Sequence, residues 1–213
     1  MKYENYVETR RRYGKVASFA VFDRDGRGGD GLLRVNSREE FEKNGLDHLL
    51  TPEHFGRPTV MYALNFSSAN DGKGATNEDF AAFHMTHNDS KLGALVNNMP
   101  GLRGAYITDL FKDYPESSSA EVMKKFRAGE INFSKQDIID ELQTVGINPD
   151  KANHIVLGKS AEEVWNSDPI GRYNFINHYS AQGKLGNKDN YVQSNIDLLE
   201  HVGIYGVPNS DNR

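Results

Sequence analysis

The stretch Thr59-Val60-Met61-Tyr62-Ala63-Leu64-Asn65 constrains this chain more than any other. It is an apolar run rich in β-formers, entered through Arg57-Pro58. It stops at one amide, and beyond Phe66 the residues Ser67, Ser68, Ala69, Asn70, Asp71 and Gly72 take over. Such a run reads as a buried parallel strand that delivers a polar residue to the rim of a sheet. In open α/β sheets, ligands bind outside the carboxyl ends of the strands, so position alone makes Asn65 a candidate site residue. The plainer reading is a strand that runs into a solvated turn.

The remaining segments alternate between the two periodicities. Val16 to Phe22 reads as a strand followed by the turn Asp23 to Gly31. Ser37 to Gly45 reads as a short helix with a Ser cap, acids in its first turn and a Gly stop. Asn77 to Asn98 is helical or irregular, and Gly104 to Asp109 is a second strand that ends on a polar residue. Ser119 to Gly129 and Ser134 to Gly146 carry helix punctuation at both ends, with Asp137 placed three residues after Ser134 as in a capping box. His154 to Gly158 is a third strand, followed by a helix through Ala161, Val164 and Trp165. Tyr173 to Asn177 is a fourth, opening into His178. Val192, Ile196, Leu199 and Val202 then recur at helical spacing. This order predicts a three-layer α/β/α sandwich around a mainly parallel sheet of four to five strands. Residues 1–57 form an N-terminal extension packed on the same domain as residues 58–213.

A chain of 213 residues can bury one sizeable core. With no cysteine it has no disulfide, no thiolate metal site and no cysteine nucleophile. No apolar run approaches the roughly 18 residues of a membrane helix. Met1 to Tyr6 lacks an apolar signal core, so the expected location is cytoplasmic and no membrane partner is expected. The net charge of -5 resides in the body. Lys and Arg stand against Asp and Glu at 11 to 10 over residues 1–57 and at 14 to 20 over residues 58–213. Contact with many phosphates would therefore have to be local, for example at Arg10-Arg11-Arg12-Tyr13-Gly14-Lys15, whose alternative is a solvated amphipathic face. The acidic turn from Asp23 lacks calcium-loop chemistry, because its fifth and twelfth positions hold Arg27 and Arg34. His84 and His87 have no matching third ligand and read as a satisfied pair rather than a metal site.

The strand ends offer an amide, a carboxylate and an imidazole: Asn65, Asp109 and His178. Without Cys, a Ser-containing elbow or a phosphate-binding Gly loop, these groups point away from acyl transfer and nucleoside triphosphates. The Gly-rich stretches Gly26 to Gly31 and Gly72-Lys73-Gly74 match neither the dinucleotide fingerprint nor a P-loop.

Five pieces in order complete the picture. They are Ala63-Leu64-Asn65-Phe66-Ser67-Ser68, Phe83-His84-Met85-Thr86-His87, Gly104 to Asp109, His154 to Ala161, and His178-Tyr179-Ser180-Ala181-Gln182-Gly183. Together they resemble the successive landmarks of the uracil-DNA glycosylase superfamily, over roughly residues 57–204. The pattern is nearest to the mismatch-specific and single-strand-selective branches. The resemblance implies an α/β sandwich that flips a nucleotide out of DNA and hydrolyses its N-glycosidic bond without metal or cofactor. It implies that Asn65 positions the attacking water and that His178, as a neutral imidazole, donates a hydrogen bond to the departing base. Ser180 would hold a DNA phosphate. Phe66, Phe83 and Met85 would line the flipped base, with core packing as the alternative for Phe83. The expected partner is DNA, and the expected state a monomer.

Departures from the family pattern carry their own chemistry. Tyr179 and Ala181 replace both prolines of the last motif, Ala63 replaces Gly, and Phe66 replaces Pro. Asp109 stands where the best-known branch reads uracil with an Asn. An ionised Asp only accepts hydrogen bonds, so it favours a base with an exocyclic amine unless burial keeps it protonated. Two readings follow: a glycosylase acting on uracil or another damaged base, and a non-catalytic relative that binds a nucleobase or nucleic acid. An unrelated α/β domain is the remaining alternative.

Overall fold

A computed structural model of the chain describes residues 1–23, 33–50, 57–65, 78–84, 88–114, 116 and 118–201. In chain order its main elements are α1 (Tyr3–Tyr13), β1 (Ala17–Phe19), α2 (Arg38–Lys43), β2 (Thr59–Asn65), α3 (Asp89–Asn98) and β3 (Tyr106–Phe111). They continue with α4 (Ser119–Arg127), α5 (Lys135–Val145), β4 (Asn153–Leu157), α6 (Lys159–Ser167), β5 (Tyr173–Ile176) and α7 (Lys188–His201).

The five strands form one sheet in the order β1-β3-β2-β4-β5. Only the β1–β3 pair is antiparallel; β3, β2, β4 and β5 run parallel. The anticipated α/β sandwich is the observed fold. Because β2 is central, its side chains must be apolar on both sides of the sheet. Val60, Tyr62 and Leu64 join one core with Tyr6, Phe41, Val122, Leu142 and Trp165, from the layer of α1, α2, α4, α5 and α6. Met61 and Ala63 join the other with Leu92, Leu95, Val96, Tyr191 and Leu199, from α3 and α7.

Local signals set several boundaries. Ser37 accepts from the Glu40 N–H and Ser134 from the Asp137 N–H, so both helices start where capping chemistry places them. Gly146 closes α5 in the left-handed conformation at φ +90°. Two expectations need correction. The cap of α4 is Ser118, one residue before the expected helix start. Strand β3 continues two residues past Asp109, because Phe111 still pairs with Asn65. Asp109 therefore lies inside the strand and not at its end.

Residues 1–23 and 33–50 contribute to the same sheet and core as the body. Tyr6 is buried in the first core, and its hydroxyl donates to the Leu33 carbonyl and accepts from the Val35 N–H. The N-terminal basic cluster is engaged within the molecule. Arg10 and Lys15 both pair with Asp79, Arg11 pairs with Glu8, and Arg12 donates to Thr144 on α5. No helix among the described residues is long and apolar enough to cross a membrane. Tyr6→Ala should destabilise the whole domain by about 3 kcal/mol. Urea denaturation checks this, and a loss below about 1 kcal/mol would mean that α1 is not integral to the core.

Candidate functional site

The strand register decides which polar groups meet. Tyr62 pairs with Val156, and Val156 with Phe175. Asn65 and His178 each lie three residues beyond their member of that row, so both reach the same carboxyl rim of the sheet. Strands β2 and β5 flank β4 and are thus two strand spacings apart, about 10 Å. Side-chain alternation places Asp109 on the α3/α7 face: it sits beside Ala63, while its neighbour Thr108 bonds Glu141 on α5 across the sheet. Phe83 belongs to the α3/α7 core as well.

His178 is the most defined of these groups. Its Nδ1 accepts from the backbone N–H of Ser180 at 3.1 Å, with the Ser180 hydroxyl at 2.7 Å from the same nitrogen. A nitrogen that accepts from a backbone N–H carries no proton, so the neutral ring bears its hydrogen on Nε2. Burial first, and then the positive charge of Lys91, push the imidazole down to about 4, which keeps it neutral at physiological pH. Tyr179 stacks on the ring with centroids 4.2 Å apart. A hydrogen bond from Ala181 N–H to His178 O closes the turn, and Asn177 is anchored by N–H donation to Asn195 Oδ1 on α7.

The end of β4 makes room for this imidazole. Gly158 has φ +84°, and a Cβ there would stand 2.9 Å from His178 Cβ. Only glycine permits both the backbone conformation and the approach.

Asn65 has a structural tie. Its amide nitrogen donates to the carbonyls of Glu116 at 2.7 Å and Tyr114 at 3.3 Å, fastening the β3–α4 loop to the rim. Both of its N–H groups are used in this tie, and the remaining polar atom, Oδ1, is chemically an acceptor. Asp109 is 2% exposed, and its Oδ1 has no hydrogen-bond partner among the described residues. Burial pushes this carboxyl up to about 8, the Lys112 ammonium opposing and the Glu141 carboxylate adding to the shift. Asp109 is therefore largely protonated at neutral pH and presents both a donor and an acceptor.

Phe83 is buried, with φ +68°. A bulky residue keeps that conformation only where its surroundings impose it. Ser180 is exposed, and its polar groups bond to His178. Phe66, Met85 and His87 lie outside the described residues, as do the acidic turn beyond Asp23 and Gly72 to Gly74. His84 donates through Nε2 to the Phe19 carbonyl at 3.0 Å, and burial pushes it down to about 4. No group of three or more His, Asp or Glu among the described residues is placed to hold a metal ion.

A concave pocket of about 450 Å³ lies elsewhere, lined by residues including Ala20, Phe22, Val96, Asn97 and Arg103. Ala20 exchanges backbone hydrogen bonds with Gly104 and Ala105, ahead of β3, so this pocket is at the amino rim of the parallel strands. It holds none of the strand-end groups. Neither Asn195 nor Lys91 carries a signal in the sequence that would select it. A glycine at a strand end was the one available sign of close approach.

Comparison with protein-family models, with curated proteins and with solved structures finds no match to this chain.

Two outcomes test this geometry. Gly158→Ala should cost about 1–2 kcal/mol from backbone conformation alone and displace the His178 ring, read by denaturation and by the imidazole NMR signals. The pH dependence of stability should have two opposed parts. The unfolded chain takes up protons on His178 and His84 as pH falls from 6.5 towards 4, and the native state rejects them, so their contribution is lost on acidification. The native state keeps a proton on Asp109 that the unfolded chain releases above 3.8, so that contribution falls as pH rises towards 8. Asp109→Asn should remove this second slope, about 1.4 kcal/mol per pH unit where it is steepest. An unchanged slope in equilibrium unfolding from pH 4 to 8 would contradict it.

Proposed function

We propose that this chain is a DNA glycosylase-like hydrolase that cleaves the N-glycosidic bond of uracil or another damaged base. The observation that carries the reading is the state of His178: a neutral ring, fixed by Ser180 so that Nε2 bears the hydrogen, on the same rim as Asn65. As the base leaves, negative charge grows on its carbonyl oxygen, and a preorganised Nε2–H bond strengthens in the transition state. Asn65 Oδ1 accepts from the attacking water and aims it at an oxocarbenium-like sugar. An amide is no strong base, so the water is oriented rather than deprotonated and turnover is slow.

The remaining residues take roles in the same scheme. Asp109, protonated below about pH 8, offers a donor and an acceptor, which suits a base with adjacent keto and N–H groups such as uracil. Above that pH the carboxylate only accepts and suits a base with an exocyclic amine. Phe83 supplies an apolar shelf for the flipped base. Ser180, exposed and bonded to His178, orients the imidazole. The chain acts on DNA as a monomer, without metal or cofactor.

A second reading is a divergent member that binds a nucleobase or nucleic acid without cleaving it. The tie from the Asn65 amide to the Tyr114 and Glu116 carbonyls favours it, because it gives that residue a structural job independent of any water.

Base release from single-lesion oligonucleotides at low salt separates the two, since phosphate contacts weaken steeply as salt rises. The glycosylase reading expects release from uracil-containing DNA and a loss of about 10²–10³ in rate for His178→Ala. It also expects uracil release to decline as pH rises through about 8, with Asp109→Asn abolishing the decline. No release from uracil, hypoxanthine or mispaired substrates that a control enzyme cuts would end it. Retained binding, equal in the wild type and in the Asn65→Ala and His178→Ala variants, would leave the binding reading in place.

A further inference from the structure

Lys91 is an unusual residue for the interior of α3. It is 6% exposed and has no carboxylate within ion-pair distance among the described residues. A buried ammonium without a counter-charge is costly, and lysine is seldom found inside unless paired. Here Nζ donates to the carbonyls of Ala181 at 3.1 Å and Leu185 at 3.0 Å, and lies 5.9 Å from the centre of the Tyr191 ring. Both carbonyls belong to the loop between β5 and α7, which carries His178. Hydrogen bonds from a charged donor are roughly twice as strong as neutral ones, so this is a firm clamp across about ten residues of loop.

We infer that Lys91 is a positioning residue for His178: its buried ammonium grips the Ala181 and Leu185 carbonyls and holds the imidazole-bearing loop against α3. Asn195 fixes the start of that loop through Asn177, and Lys91 fixes its crest. With its start and its crest held, the Ser180 N–H stays on His178 Nδ1 and the ring hydrogen stays on Nε2. The charge of Lys91 also disfavours imidazolium, adding to the effect of burial. Lysine meets both demands together; a neutral donor would meet only the first. Partners of this kind, one step removed from the reacting group, orient it and set its tautomer. The catalytic part of the inference rests on the role proposed above for His178, whereas the clamp itself does not.

The test uses the full-length chain and the variants Lys91→Met, close in volume but unable to donate, and Lys91→Arg, which restores donors and charge. Imidazole nitrogen NMR reads the tautomer directly. Wild type should show an unprotonated Nδ1 and a protonated Nε2 on His178. Lys91→Met should show averaging between the tautomers and a higher pKa, and Lys91→Arg should return towards the wild-type signature. If wild type releases uracil, Lys91→Met should lower kcat by about 10²-fold with KM changed less than threefold, the loss expected for a catalytic group misplaced by about 1 Å. A folded Lys91→Met protein with the wild-type tautomer signature overturns the inference, whatever its activity. If Lys91→Met does not fold, Lys91→Ala, which likewise cannot donate to the Ala181 and Leu185 carbonyls, is read in its place, and an unchanged His178 tautomer overturns the inference equally. If wild type releases no base, the glycosylase reading falls while the tautomer measurement still decides the clamp.

Discussion

The parallel pairing of β2 with β4, and of β4 with β5, is the constraint on which the rest of the structure depends. A one-residue slip would turn every side chain of a strand to the opposite face. It would also move Asn65 and His178 out of step, since each owes its level to the row Tyr62–Val156–Phe175. The pairing is specified from both sides at once, because Tyr62 and Val156 bury in one core while Met61 and Ile155 bury in the other. Apolar burial on two faces therefore fixes the place of polar groups that contribute nothing to it.

Strand β3 shows how one sheet sorts buried acids by use. Glu141 meets the sheet from α5 and is provided for: its Oε1 accepts from Tyr106 and Thr108, and its Oε2 lies 2.6 Å from Lys112 Nζ. Asp109, from the strand itself, faces the opposite layer, and its Oδ1 has no hydrogen-bond partner among the described residues. A buried carboxyl gives up its charge rather than remain ionised away from water, which explains the upward displacement of its pKa. Residues held at a cost of this kind are where a chain departs from plain stability, and such departures concentrate at functional sites. His178, only half-buried, is moved in the opposite direction by loss of surrounding water, so an acid that keeps its proton and an imidazole that refuses one belong to the same layer of the molecule.

Much of the scaffold was legible because its causes are local. The continuous apolar run at Thr59 to Asn65, the caps at Ser37 and Ser134 and the left-handed stop at Gly146 act within a few residues of themselves. Helix α1 was not anticipated, because its sequence, with the cluster Arg10 to Arg12, is polar on most faces. Its stability comes from Tyr6 reaching Leu33 and Val35, and from Arg10 reaching Asp79. Those partners are distant in sequence and leave no periodic mark.

By itself the sequence determined the α/β alternation, the buried central strand and the amide that ends it, since hydrophobic periodicity and capping are properties of neighbouring residues. Tertiary structure alone decided that Asp109 is enclosed within its strand, that Ser180 serves His178, that Gly158 must yield space to it and that Lys91 is buried beneath its loop. The physical reason is that charge state, tautomer and steric clearance depend on what surrounds a group in space, and only strand register and loop closure bring those surroundings together.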